Sequence, residues 1–145
     1  MSRGVSSRSK ERRAALRILF EMDMNKSTLV EVLEGKKLVG EDDPGEFAIE
    51  LVRGVRQHQP EIDGVIRDYS EGWGLERMPG VDRTILRMSL YEIFFQDDIP
   101  VGASIDEAVE LAKAFSTEDS GKFINGVLGR VNREREAGQL TLPGV

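Results

Sequence analysis

The sequence predicts an all-α protein of about seven helices, in an N-terminal and a C-terminal helical group. Apolar residues recur at the helical period of 3.6 along nearly the whole chain, and no stretch alternates as a half-buried strand would. Helix-start signals and Gly or Pro breaks follow one another at intervals of ten to twenty residues. The chain has 145 residues and no cysteine, a length that suits one domain with a core needing no covalent staples.

Taken in order, the first helix is predicted from about Ser9 to Asn25, with Ala15, Ile18, Leu19 and Met22 on one apolar stripe. Arg12, Arg13 and Arg17 then fall on the solvent-facing side. Thr28 opens a second helix, with Glu31 three residues on completing a capping box. Gly35 and Gly40 close it. Asp43-Pro44-Gly45-Glu46 reads as a third start, Asp43 capping and Pro44 in the first turn, ahead of the stripe Phe47, Leu51, Val52, Val55. Pro60 restarts the chain, and Ile62, Val65, Ile66 and Tyr69 keep the period until Gly72-Trp73-Gly74. From Val81 to Gln96 the apolar residues point nearly all round, so this helix is central. Ser104 and Glu107 read as a capping box for the next helix, and Thr117 or Ser120 starts the last. The stretch Gly72–Gly80 divides an N-terminal half, about 8–70, from a C-terminal half, about 80–136, and the tail 138–145 is expected to be flexible.

Composition excludes several chemistries. Without cysteine there is no disulfide framework, thiolate zinc site or thiol nucleophile. No apolar run approaches the ~18 residues of a membrane span, and the N-terminus lacks a secretory h-region, so the expected compartment is cytoplasmic. The single histidine, His58, has Glu61 as a neighbour but no third ligand, and reads as a helix-end residue. Gly72-Trp73-Gly74 lacks the third glycine and the preceding strand of a dinucleotide loop. No enzyme, cofactor or metal is expected.

Charge is more informative by position than in total. The net charge is −6, yet residues 1–17 hold six basic side chains against Glu11 alone, leaving +5 there and −11 on the rest. A basic arm on an acidic body suits a polyanion partner, although a solvated helix face gives the same pattern. Arginine forks match phosphates and stack on unpaired bases. Five such contacts would give a salt slope of roughly −3.5 on single strands. Lys122 and Phe123, near the start of the last helix, add a cation and a ring. Phe123 also shares an apolar stripe with Val127 and could equally belong to the core.

Three blocks carry a family resemblance. They are Val81-Asp82-Arg83-Thr84-Ile85-Leu86-Arg87-Met88-Ser89-Leu90-Tyr91-Glu92, then Ile105-Asp106-Glu107-Ala108-Val109-Glu110-Leu111-Ala112-Lys113, then Glu118-Asp119-Ser120-Gly121-Lys122-Phe123-Ile124-Asn125-Gly126-Val127-Leu128. With the arginine-rich opening Ser9–Phe20, they occur in the order and spacing of the NusB family, which the chain resembles over nearly its whole length.

The resemblance implies an all-α fold of two small helical subdomains packed across each other, and a transcription antitermination factor that binds boxA-type single-stranded RNA of nascent ribosomal transcripts. It would act with the small-subunit ribosomal protein NusE and join an RNA polymerase antitermination complex, with no membrane partner. Some members self-associate, so a homodimer is among the implied assemblies. Carried onto matching positions, Arg8, Lys10, Arg12, Arg13, Arg17, Lys122 and Phe123 become RNA-binding residues, and Glu76 and Asp82 contacts for NusE. Arg87 and Glu92 would form an internal polar bridge between the halves. The alternative is a helical protein–protein adaptor without intrinsic RNA specificity.

Overall fold

The structure, a computed structural model, describes residues 3–142, with side chains from Ser7 onward. Among these residues it holds seven helices and no strand: α1 (Arg3–Asn25), α2 (Leu29–Leu38), α3 (Glu46–Gln57), α4 (Gln59–Tyr69), α5 (Gly80–Phe95), α6 (Val101–Phe115) and α7 (Glu118–Glu136). None of them is long and apolar enough to cross a membrane. The chain divides into two compact units, residues 1–54 and 55–145. The division falls within α3, whereas the sequence places its break at Gly72–Gly80.

In the first unit, α1 begins earlier than its apolar stripe does, and it packs on α2. Thr28 caps α2 as expected: the Glu31 N–H donates to Thr28 Oγ1 (3.1 Å) and the Thr28 N–H to Glu31 Oε1 (2.8 Å). The helix runs through Gly35, and the chain turns at Gly40, whose φ is +77°. The start of α3 differs from its sequence reading. Asp43 accepts from the Gly45 N–H (2.8 Å) and so closes a turn before the helix. The N-terminal cap comes from another helix: the Ala48 N–H donates to Glu11 Oε1 of α1 (3.2 Å). Gly45, at φ +104°, allows this approach, since a Cβ there would collide with the Glu11 carboxylate.

In the second unit, α5 packs on α4, α6 and α7, and α6 lies along α7. Ile85, Leu86, Met88, Leu90, Ile93 and Phe94 of α5 are buried, which fits the central position read from its all-round apolarity. Its polar residues are buried too. Arg87 donates from Nε to Asp63 Oδ1 (2.7 Å) and from Nη2 to Oδ2 (2.9 Å), a two-pronged pair linking α5 to α4. Glu92, on the same helix, is buried as well. Ser89 and Ser104 share a hydrogen bond (3.0 Å) between α5 and α6. Ser104 is therefore an interior residue of α6, and its expected capping box with Glu107 does not form. Pro100 starts α6 instead, because its fixed φ pre-sets the first turn. Thr117 caps α7, accepting from the Ser120 N–H (3.0 Å). Beyond α7, Leu142 is buried. Residues 143–145 of the tail expected to be flexible lie outside the described residues.

The Arg87–Asp63 pair sits where one partner alone is strongly unfavourable. Asp63→Ala should lower unfolding free energy by about 3–5 kcal/mol, measured by urea denaturation. The double change Asp63→Leu with Arg87→Met should recover most of that loss.

Candidate nucleic-acid interface

The basic arm lies in the first part of α1, and the helical period sorts its cations into two groups. Lys10, Arg13 and Arg17 are exposed and fall at i, i+3 and i+7, so they share one face. From Lys10 to Arg17 that face rises about 10 Å along the axis. Arg12 behaves differently, with only 5% of its surface exposed. It stands three and four residues before Ala15 and Leu16, on the buried stripe, and its guanidinium lies 5.3 Å from the centre of the Phe47 ring. Arg8 lies half-buried over the same ring at 4.8 Å. Two arginines thus stack on Phe47 of α3, a cation–π arrangement that anchors the arm. The expectation that Arg12 faces solvent is corrected.

Glu11, which interrupts the basic run, is explained by its cap on α3. Glu11→Ala should cost about 0.5–2 kcal/mol of stability, read by thermal or urea unfolding. Gly45→Ala should also destabilise, through the left-handed φ and the collision with Glu11.

The second patch lies in the other unit and is described by itself. Lys122 is exposed on the first turns of α7. Phe123 is half-buried, and its ring meets Trp73 edge-to-face, with centroids 4.7 Å apart at 79°. It belongs to neither a sealed core nor open solvent. Behind this pair Tyr69 donates its hydroxyl proton to Glu134 (2.6 Å), and Arg130 lies over the Tyr69 ring at 4.7 Å. Arg130 also pairs with Glu71 (3.1 Å) and Glu134 (3.3 Å). The hydrogen bond to Glu134, then burial, raises the Tyr69 pKa above the ordinary phenol range. The same bond, with Arg130 beside it, lowers the Glu134 pKa.

Of the two positions expected to meet NusE, Glu76 is exposed and loosely paired with Arg67 (3.7 Å). Asp82 is a correction: it is 0% exposed, and among the described residues neither carboxylate oxygen has a hydrogen-bond partner. It lies three and four residues before buried Ile85 and Leu86, so it faces inward at the third position of α5. There the helix dipole favours a negative charge. Trp73 and Arg130 are functional candidates that the sequence reading passed over. Trp73, the sole tryptophan in the chain, reads in the sequence only as the middle of a Gly-Trp-Gly break.

The Tyr69–Glu134 bond predicts a pH profile. Tyr69 ionises higher in the folded state, so its contribution is whole below about pH 10 and is lost as pH rises further. Glu134 ionises lower when folded, so its contribution holds above about pH 4 and fades as pH falls through its depressed value. The stability difference between parent and Tyr69→Phe should therefore form a plateau that declines on both flanks, measured by urea titration across pH.

Comparison with known proteins places this geometry. Residues 9–133 match the NusB family. The transcription antitermination protein NusB of Arthrobacter sp. (strain FB24) is 43% identical over 129 residues, which is 89% of this chain and 95% of that protein. NusB of T. maritima superposes with a TM-score of 0.78 at 38% identity, covering 92% of this chain and 97% of its own. A crystal structure of the antitermination factors NusB and NusE in complex with dsRNA gives a TM-score of 0.76 at 27% identity, covering 88% and 97%. On these matches, the chain belongs to the NusB family.

Proposed function

We propose that this protein is a non-catalytic, RNA-binding transcription antitermination factor that acts together with NusE. The observation that carries the reading is the exposed face of Lys10, Arg13 and Arg17, three cations at helical spacing on an otherwise acidic chain. Such a face meets consecutive phosphates and releases their counterions. Relatives support the reading: the Arthrobacter protein is named for antitermination, and a solved neighbour is a NusB–NusE complex with dsRNA. In its finer form, the RNA is a boxA-type single strand of nascent ribosomal transcripts, bound within an RNA polymerase antitermination complex.

Lys10, Arg13 and Arg17 hold phosphates; Lys122 and Phe123 form a second contact. Arg8 and Arg12 act indirectly, through their stacking on Phe47. Glu76 is an exposed carboxylate for NusE, and the net −11 outside the arm suits a basic partner. The adaptor reading has one observation in its favour: Val30, Leu38 and Val39 on and beside α2 are exposed apolar residues.

Labelled boxA-type RNA, followed by anisotropy with and without NusE across salt concentrations, tests the proposal. Three exposed arm cations predict a slope contribution of about −2 on single strands. Arg13→Ala with Arg17→Ala should weaken binding and flatten the slope by about 1.4. An unchanged slope would remove the arm from the interface, and RNA that neither protein nor NusE retains would leave the adaptor reading.

A further inference from the structure

The segment 39–45, between α2 and α3, carries three consecutive exposed acids, Glu41, Asp42 and Asp43. They line an open trough of about 590 Å³. Helix α1 lines the same trough with Lys10, Ala14 and Arg17. Two of the cations assigned above to phosphates thus share one space with three carboxylates. Resting on that RNA-binding reading, we infer that the segment is a built-in electrostatic competitor. Its carboxylates lower the positive potential over Lys10 and Arg17 and weaken the arm's grip on any polyanion.

The acids are held beside α1 at both ends of the segment. At its start the chain turns at Gly40, and the Glu41 N–H donates to the Lys36 carbonyl (2.9 Å). The Lys36 ammonium lies 3.5 Å from the Glu41 carboxylate. At its end Asp43 closes the turn with the Gly45 N–H, and Glu11 of α1 caps the helix that follows. Between these ties stands Asp42. Neither Asp42 nor Lys10 has an ion-pair partner among the described residues, so each presents its charge to the trough. A space of that volume is about 10 Å across, which is also about the Debye length at 0.1 M salt, so a charge on one wall is felt at another.

A competitor of this kind has a use in recognition. Phosphate contacts fix position and carry no sequence information, so a strongly cationic helix holds every RNA alike. Carboxylates beside it raise the threshold for all of them. A strand then stays only if it makes further contacts elsewhere, and discrimination improves because the common, non-specific part of the affinity is reduced. The acids act on backbone charge, so their effect is the same whatever the bases.

The test uses the full chain with two labelled single strands of equal length, a boxA-type RNA and an oligouridine, followed by anisotropy across salt with and without NusE. Asp43 is left unchanged because its carboxylate closes the turn before α3. Asp42→Asn should tighten both strands about threefold at low salt, and Glu41→Gln with Asp42→Asn about tenfold. The gain should shrink as salt is raised, so the variants show a steeper salt dependence than the parent. With Lys10→Ala and Arg17→Ala in place, most of the gain should disappear, since no phosphate is then drawn into the trough. Glu34→Gln removes an exposed carboxylate of α2 that does not line the trough, and it should reproduce less than half of the Asp42→Asn gain. Unchanged or weaker binding by Asp42→Asn overturns the competitor. So does a gain confined to the boxA strand, a gain matched by Glu34→Gln, or a gain undiminished without Lys10 and Arg17. In each of those cases RNA binding itself stands. No anisotropy change with either strand, for parent and variants alike and with or without NusE, overturns the RNA-binding reading and the competitor with it.

Discussion

The arrangement of the C-terminal unit depends on the buried pair between Arg87 and Asp63. Helix α5 is apolar on most sides, and an apolar helix can rotate among packings of similar energy. A two-pronged guanidinium–carboxylate contact admits one rotation and one axial position. Burying two charges gains little net stability, and its value lies in register. Once α5 is fixed against α4, the Ser89–Ser104 bond sets α6, and α7 packs on both α5 and α6. The end of α4 returns to α7 through Tyr69 and Glu134. The turn carrying Trp73 and the face carrying Phe123 are thereby held in one place.

The N-terminal unit solves a different problem, that of keeping several cations close together on one short segment. Part of the solution is that they are not all on one face. The helical period sends Lys10, Arg13 and Arg17 to solvent, while Arg8 and Arg12 lie over the Phe47 ring. The ring's negative face accepts positive charge that water would otherwise solvate. Glu11 supplies a further counter-charge while serving the end of α3. Composition alone counts these residues as one basic tract, and geometry divides the tract into a contact surface and its support.

Much of this was legible in the sequence where the cause was local. The Thr28–Glu31 box and the Thr117 cap are contacts within four residues, and both formed. The central place of α5 followed from its apolarity. Local signals competed at α6, where the rigid ring of Pro100 set the first turn and left Ser104 free to bond across to Ser89. The stripe predicted for α1 counts only apolar residues and so leaves out Arg12, while Asp82 is set outside only by the family resemblance. Each stands three and four residues before buried positions, so the period alone turns them inward. Contacts between distant residues gave no signal. Nothing near Ala48 indicates that its cap comes from a residue 37 positions earlier. Nothing in Gly72-Trp73-Gly74 indicates a ring waiting on α7.

The placement of Glu11 narrows the ways in which the arm can change. Converting it to a basic residue is the shortest route to a more cationic helix, and it would leave the first turn of α3 without its acceptor. Position 14 carries no such duty. Ala14 stands four residues after Lys10 and three before Arg17, half-buried beside their exposed face of α1. A cation added there would strengthen this helix's grip on a polyanion and leave the contact between α1 and α3 intact, which a change at Glu11 would not.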